Sequence, residues 1–449
     1  MIKKLVKFFT YFTIILILFI IYLSIFGVKT NKFNNIIKKE ILSLNSKFVL
    51  DIKNINILLN PFNFTVNFRT ENPEILLDNK KIKIKNVNTN LSIKSILNRE
   101  FSLDNIEISL KKVKLKDLTL LARSFKNSTE LFLLDKIVEE GFLTSEIQLN
   151  FDSEGRIINN YQIDGAIEKG KLSLLNNFNL ENLGFIFEIK KDEYLLSKIK
   201  TNFNKIKLSS PSITIKDKKS LFFVEGKILT AENDIDINKL KTLIKDDNEK
   251  LNIEKINFSS DNNFTFNLSK RLKIKDLQIK SQVNLNHLYV KNDQLDIKYF
   301  FPNFKEKIEL INNKIEIVFS KKKFNLIGKG KILLDDKADT LKYEITKKNE
   351  KYAFNVNLNI DQNPFNISFL NYSKDKKIKS SMLIDFFYNK DDKIKFNKIS
   401  FNENNNNILI KDLILNDRYK VLDFQLIDLN YKNNNKIKNK IFIKKSKDI

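Results

Sequence analysis

The sequence predicts a mostly β fold: an N-terminal transmembrane helix followed by an elongated, curled, mainly antiparallel β-sheet groove with a few short helices. Three observations predict it. A charge-free apolar segment, Phe8–Val28, lies near the N-terminus. Apolar and polar residues alternate along most of the remaining chain. An octapeptide pattern that bends a strand recurs inside that alternation.

The apolar segment comes first. Lys3, Lys4 and Lys7 precede it, leaving residues 1–7 as a short stub. The segment spans about 31 Å at 1.5 Å per residue, close to the hydrocarbon thickness of a bilayer. Phe8, Tyr11, Ile15, Leu18, Tyr22 and Phe26 are the anchor residues, with the two tyrosines toward the ends, where aromatic side chains favour the interface. A cleaved signal peptide would have a shorter apolar region, and no small-x-small site follows Ile25-Phe26-Gly27. An uncleaved anchor is therefore expected over 8–28. Lys29, Lys32, Lys38 and Lys39 follow the span, so the positive-inside count selects neither orientation. Residues 29–47 read as an amphipathic exit helix, with Phe33, Ile36, Ile37, Ile41 and Leu44 at helical spacing. The rest, 48–449, is expected to form one extramembrane body.

Within that body the alternation is explicit. Phe62-Asn63-Phe64-Thr65-Val66-Asn67-Phe68 alternates strictly, as do Tyr352–Ile360 apart from Ala353, and Phe365–Phe369. Period two predicts half-buried strands. Pro61 and Pro364 precede two of these runs, where a strand start tolerates the missing N–H. The pattern apolar-x-apolar-polar-polar-apolar-x-apolar occurs at Leu50–Ile57, Phe101–Ile108, Val113–Leu120, Phe178–Phe185, Leu251–Phe258, Leu272–Ile279 and Ile394–Phe401. Looser copies begin at Ile82, Tyr194 and Ile408. In a regular strand the second apolar pair would face the wrong side. One extra residue restores the face, which is a β-bulge. A two-residue hairpin would want Gly in the polar pair, and no copy has one. At about 13–15 residues per strand and turn, the body holds about 27–31 strands.

Two helices interrupt the pattern. Ser128 can cap one carrying Leu131, Leu134, Ile137 and Val138, with Gly141 as its C′ residue. Asp236 can cap another carrying Ile237, Leu240, Leu243 and Ile244.

Composition excludes many chemistries. There is no Cys or Trp, and His occurs once, at His287. Disulfides, thiol catalysis, Cys-containing zinc sites and His-rich metal sites are thereby excluded. With 9 Gly, neither a dinucleotide nor a P-loop fingerprint occurs. No cofactor is expected. The 79 Lys+Arg against 54 Asp+Glu leave a net charge of +25. Only six of the basic residues are Arg, and the Lys excess accompanies abundant Asn, Ile and Phe, all residues with AT-rich codons. Nucleic acid is not expected as a partner, since its recognition favours the Arg fork. The paired acids Glu139-Glu140, Asp246-Asp247 and Asp391-Asp392 sit beside turns or helix ends and read as solvated charge, so no enzyme is expected.

The apolar face of such a sheet needs a cover. A trough lined by Ile, Leu and Phe suits acyl chains, which need apolar contact and no directional bonds. Its expected lining is Ile52, Ile55, Ile82, Ile84, Val87, Leu103, Ile106, Ile108, Leu115, Leu118, Ile253, Ile256, Ile274 and Leu277. A dry core with no lumen fits the same pattern, and the residues leave both readings open.

The order of anchor, exit helix and Leu50–Leu118, with its short unit Leu91–Leu97, resembles the AsmA-like/TamB-like family of membrane-anchored repeating β-groove proteins. Residues 141–226 look like a later repeat. Two departures stand out: Ser46-Lys47 replaces the usual Thr-Gly, and the chain is shorter than the members that bridge two membranes. The resemblance implies a single-pass bacterial inner-membrane protein with a cytoplasmic N-terminus and a periplasmic body. It implies phospholipid transport toward the outer membrane, with outer-membrane or other envelope proteins as partners, or a scaffold for outer-membrane assembly with no conduit.

Overall fold

The computed structural model describes residues 2–35, 37–39, 48–77, 80–94, 103–125, 128–152, 158, 160–174, 178–235, 252–271, 273–291, 297–348, 351–389, 394–416 and 420–445. The protein is mostly β, with one long apolar N-terminal helix, a large antiparallel sheet and few short helices. Twenty-seven strands lie among the described residues. The chain forms two compact units: residues 1–205 with 210–218, and residues 206–209 with 219–449.

The first unit opens with helix α1 (Ile2–Ile25). Its side chains are exposed along almost the whole length, and residues 3–25 are long and apolar enough to cross a membrane. Thr10, Thr13 and Ser24 return their hydroxyl protons to carbonyls four residues back, at 2.9, 2.8 and 2.8 Å, so none needs water. A helical exit is expected after it, but Val28–Thr30 forms strand β1 instead. The later exit residues 34–35 and 37–39 are helical, while Ile36, Ile41 and Leu44 lie outside the described residues.

Strands β2 (Phe48–Asp51), β3 (Ile55–Asn60), β4 (Thr65–Glu71), β5 (Glu74–Leu77), β6 (Lys80–Ser92) and β7 (Leu103–Lys114) follow. Next come helices α2 (Leu115–Phe125) and α3 (Thr129–Ile137), then β8 (Val138–Asn150), β9 (Gln162–Leu174), β10 (Phe178–Lys190), β11 (Glu193–Phe203) and β12 (Ile206–Lys218). The ladder runs β1-β3-β4-β6-β7-β8-β9-β10-β11, antiparallel throughout, with β2 and β5 added beside β6.

The second unit contains β13 (Leu221–Ile235), β14 (Asn252–Ser269), β15 (Ile274–Lys291), β16 (Lys307–Ser320), β17 (Lys323–Leu333), β18 (Ala338–Lys348) and β19 (Lys351–Asn359). A small hairpin of β20 (Phe365–Ile367) and β21 (Tyr372–Lys374) leaves the sheet. The sheet resumes with β22 (Ser381–Asn389), β23 (Ile394–Glu403), β24 (Asn406–Leu415), β25 (Val421–Asp423), β26 (Leu426–Lys432) and β27 (Lys438–Lys444). Here β13 to β19 pair in sequence order, β19 pairs with β22, and the ladder continues through β23, β24, β26 and β27.

Register shifts mark the octapeptide copies. Shifts fall at Leu180/Leu183, Ile253/Lys255 and Thr265/Asn267, and where Asp385 and Phe386 pair with Lys398 and Phe396. Asn105 and Leu103 likewise pair across a shift with Asn90 and Leu91. Asn182 and Asp276, the second residues of two polar pairs, adopt φ of 53° and 51°, a left-handed turn that short polar side chains tolerate.

Two strict copies behave differently. In Leu50–Ile57 the strand breaks, because Asn34 donates its amide protons to the carbonyls of Ile52 and Lys53 at 2.7 and 3.0 Å. Val113–Leu120 turns helical from Leu115: Leu115, Leu118 and Leu121 fall at helical spacing, with Asp117 in the first turn and Arg123 in the last. Two further expectations are corrected. Pro61–Phe64 is a turn and not the start of a strand, with Phe64 at φ 50°. Gly141 is not a helix cap: it sits inside β8 at φ 134°, where a Cβ would come within 2.6 Å of Leu115. Ser128 does cap α3, accepting from the Leu131 amide at 3.4 Å. The helix expected after Asp236 lies outside the described residues.

Candidate functional site

The candidate site is the apolar face of the sheet, described unit by unit. Register places one apolar side chain per strand in rows that cross the ladder.

In the second unit one such row runs Leu341–Leu358–Met382–Phe401–Ile408–Leu429. It is covered by the chain itself. The β20–β21 hairpin sets Phe365, Ile367 and Tyr372 over it, beside Phe301, and all are buried. Phe365 packs its ring 5.0 Å from Phe401, 5.5 Å from Phe301 and 5.9 Å from Phe300. The polar groups of this cover are matched. Tyr372 donates its hydroxyl to Glu403, which also accepts from Asn406 at 2.6 Å. Burial, then the Glu403 carboxylate, hold the Tyr372 hydroxyl protonated far above the ordinary phenol range. Asp339 accepts the backbone amides of Asp361 and Gln362 at 2.8 and 2.9 Å and the Asn363 side chain at 2.7 Å. The buried Lys374 ammonium donates to the Asp375 and Ile378 carbonyls at 3.1 and 2.8 Å. Burial pushes its pKa down, against the pull of Asp339 and Glu403.

Two rows away the face is open. Ile317–Leu326–Ile345–Phe354–Phe386–Phe396–Leu413 form a continuous apolar row, and every member is half-buried. Phe354 and Phe386 stack at 4.6 Å, and Phe386 lies 5.5 Å from Phe396. An adjoining short row, Phe264–Ile279–Phe319–Phe324, extends the surface, with Phe319 exposed. Beside it a shallow hollow of about 570 Å³ is lined by Ile274, Leu277 and Phe319 with Lys275, Asp276 and Lys321. The opposite face is polar in the same strands: Glu344–Asn355–Asp385–Lys398–Lys411 form one row.

The first unit repeats the arrangement. Ile55–Thr70–Val87–Ile108–Ile147–Ile163–Ile189 cross seven strands, and Ile57–Phe68–Thr89–Ile106–Leu149 lie beside them. Thr70 and Thr89 spend their hydroxyl protons on backbone carbonyls at 3.3 and 2.7 Å. One end is covered by α2, whose Leu118 and Leu121 pack on Ile82, Ile84, Leu110 and Val113. Asp135 of α3 ties the two helices together. It accepts from Arg123 at 2.7 Å and Thr119 at 3.2 Å and pairs with Lys116 at 3.3 Å. Burial opposes its charge, yet the bonds from Lys116 and Arg123 hold the carboxyl below the usual carboxylate range. A second cover is Ile37, packed against Leu50, Ile52 and Ile55.

The expected lining divides accordingly. Ile52, Ile55, Ile82 and Ile84 are buried by the chain's own side chains and have no free face for a ligand. Leu115 and Leu118 lie on a helix that covers the sheet. Val87, Ile106 and Ile108 are half-buried in the rows of the first unit, and Val87 and Ile108 also touch the α2 cluster. Leu103 is in β7, where its backbone pairs with Leu91. Ile253, Ile256 and Leu277 are half-buried and Ile274 is 59 % exposed. Sequence reasoning missed the aromatic row Phe354–Phe386–Phe396. Its signal was present as a Phe in each of the three strands β19, β22 and β23.

The acids and the histidine form no catalytic arrangement among the described residues. Glu139 pairs with Lys171 at 2.8 Å. His287 lies in β15 with its Nδ1 2.9 Å from Glu309. Asp246-Asp247 and Asp391-Asp392 lie outside the described residues. No cluster of three or more metal-ligating side chains occurs among the described residues. No family model matches the chain, and neither a curated protein nor a solved structure matches it.

Proposed function

We propose that the protein is a membrane-anchored lipid-handling protein whose open apolar rows hold the acyl chains of phospholipid. One observation carries the reading. The row Ile317–Leu326–Ile345–Phe354–Phe386–Phe396 stays half-exposed, while a row four residues further along β18, β19 and β22 is sealed by a dedicated hairpin. Half-exposed aliphatic and aromatic side chains in continuous rows suit hydrocarbon, which asks for contact area and no fixed bonds. The exposed apolar helix α1 supports anchoring to a bilayer. The resemblance to the AsmA-like/TamB-like family supports an inner-membrane location, a periplasmic body and delivery toward the outer membrane. The protein supplies no energy source in this reading, and none of its acids is assigned a reaction.

The test places photocrosslinking side chains at Leu326, Phe354 and Phe386, and on the opposite face at Asn355, Asp385 and Lys398. The apolar set captures phospholipid in cells and the polar set does not. Equal labelling of the two sets overturns the proposal.

The alternative is an assembly scaffold with a dry core. The covers at Phe365 and at Leu118 favour it, because they show the chain burying its own apolar face in places. Mass spectrometry of lipid extracted from the purified full chain separates the two. Stoichiometric phospholipid supports the first reading, and its absence together with a copurifying envelope protein supports the second.

A further inference from the structure

The β3–β4 turn has an exposure that folding does not explain. Phe62 is 93 % exposed and Phe64 72 % exposed, at the tip of the β3–β4 hairpin. The run Asn54–Phe68 contains no charged residue, between Lys53 and Arg69, in a chain that is 30 % charged. Solvated hairpin tips favour charge, so both features ask for an apolar surrounding.

The register fixes where this tip lies. Gly27 ends α1 at φ 67°, with its amide on the Tyr22 carbonyl at 3.4 Å, and a Cβ there would come within 2.5 Å of the Ile57 carbonyl. The chain then pairs at once with β3: Val28 with Ile57, Lys29 with Asn56 and Thr30 with Ile55. The pairing is antiparallel, so β3 runs back along α1. From Ile57 to Asn60, the last residue of β3, is about 10 Å of extended chain. That carries the start of the turn back about seven residues along the helix, at 1.5 Å each. The side chains agree: Ile20, Ile21, Ser24 and Ile25 of α1 share one apolar hollow of about 450 Å³ with Leu58, Leu59, Pro61 and Phe62. These helix residues belong to the apolar span. A tip beside them lies below the level at which α1 leaves the hydrocarbon, at the depth where amphipathic elements rest in the boundary between headgroups and acyl chains.

The turn is built for that position. Asn60 Oδ1 accepts the Asn63 amide at 3.2 Å, and the Phe64 carbonyl accepts the Ile93 amide at 2.8 Å. Lys94, next to Ile93, is exposed.

We infer that the Pro61–Phe64 turn is inserted into the leaflet beside the last turns of α1, as a second membrane contact made by the sheet itself. This rests on α1 spanning a bilayer, and the test separates the two claims.

The chain has no Trp, so one substitution gives a single fluorophore. F62W and, separately, I17W are placed in the full chain and reconstituted into phosphatidylethanolamine/phosphatidylglycerol vesicles, with acyl chains brominated near either the carbonyl or the methyl end. Circular dichroism confirms the β signal. The expected result is strong quenching of I17W, and a blue-shifted F62W emission that shallow bromines quench more than deep ones and aqueous iodide leaves unquenched. Quenching of I17W with an iodide-accessible, unshifted F62W overturns the inserted turn and leaves the anchor standing. Failure of both to quench overturns the anchor and the turn together.

Discussion

Replacing Phe365 by Ala tests whether the β20–β21 hairpin is the cover of the second unit's apolar face. Phe365 is 1 % exposed and its ring meets three others between 5.0 and 5.9 Å. Truncating a buried phenyl ring costs about 3–5 kcal/mol, as lost transfer energy plus the cavity left behind. The backbone gives the readout. The Asn366 amide donates to the Phe300 carbonyl and the Ile360 amide to the Ser380 carbonyl, both at 2.9 Å. Hydrogen exchange at these two amides reports opening of the hairpin. At about 1.4 kcal/mol per tenfold, their protection should fall by about two to four orders of magnitude. Phe369, in the same segment and 81 % exposed, is the control: F369A should change protection by less than about threefold, the range of a surface substitution. The variant carries a functional consequence as well. With the hairpin loosened, a crosslinker at Leu358 should capture more lipid. Protection unchanged within tenfold at Ile360 and Asn366 in F365A would refute the reasoning.

The other predictions follow from single contacts. D135A removes the acceptor shared by Arg123, Thr119 and Lys116 and should destabilise α2 and α3 by about 1–3 kcal/mol, read as exchange in residues 115–137. Because the Asp135 carboxyl titrates below its unfolded value, its contribution is present above the ordinary carboxylate range; it is lost as pH falls through the lower folded value, so acid should loosen these helices in the wild type and not further in D135A. At Asp276, with φ 51°, D276G should be neutral or stabilising and D276V destabilising by about 1–2 kcal/mol, measured by urea titration of the full chain in detergent. G27V should detach β1 from β3, since a Cβ at that position meets the Ile57 carbonyl at 2.5 Å; exchange of the Val28–Thr30 amides should rise while that of β10 stays unchanged.

Much of the fold was legible because alternation has a direct physical cause. A strand with one wet face must alternate, and a strand that bends must insert a residue to keep its face. Hence Phe178–Phe185 and Leu272–Ile279 announced their bulges. Local pattern misled where a distant side chain or a second period intervened. Asn34 breaks Leu50–Ile57 from sixteen or more residues away, which no octapeptide reveals. Val113–Leu120 satisfies both periods, and the helix prevails once Leu121 and Arg123 are included. Phe365–Phe369 alternates like its neighbours yet leaves the sheet, after the polar turn Asp361-Gln362-Asn363 satisfied by Asp339. The candidate face was legible as a set of apolar positions. Which rows are sealed and which are open depends on where α2 and the hairpin land, and that is decided by tertiary contacts.

The weld at Gly27 has a mechanical consequence. A helix joined to its domain through a slack tether can lean in any direction without disturbing what it holds. Here the first three residues past the helix are already stitched to a strand, so leaning of the rod is leaning of the first unit's sheet. If α1 spans a bilayer, as proposed above, a bilayer of different thickness, by changing how steeply the rod stands, would swing that sheet as a handle swings a blade.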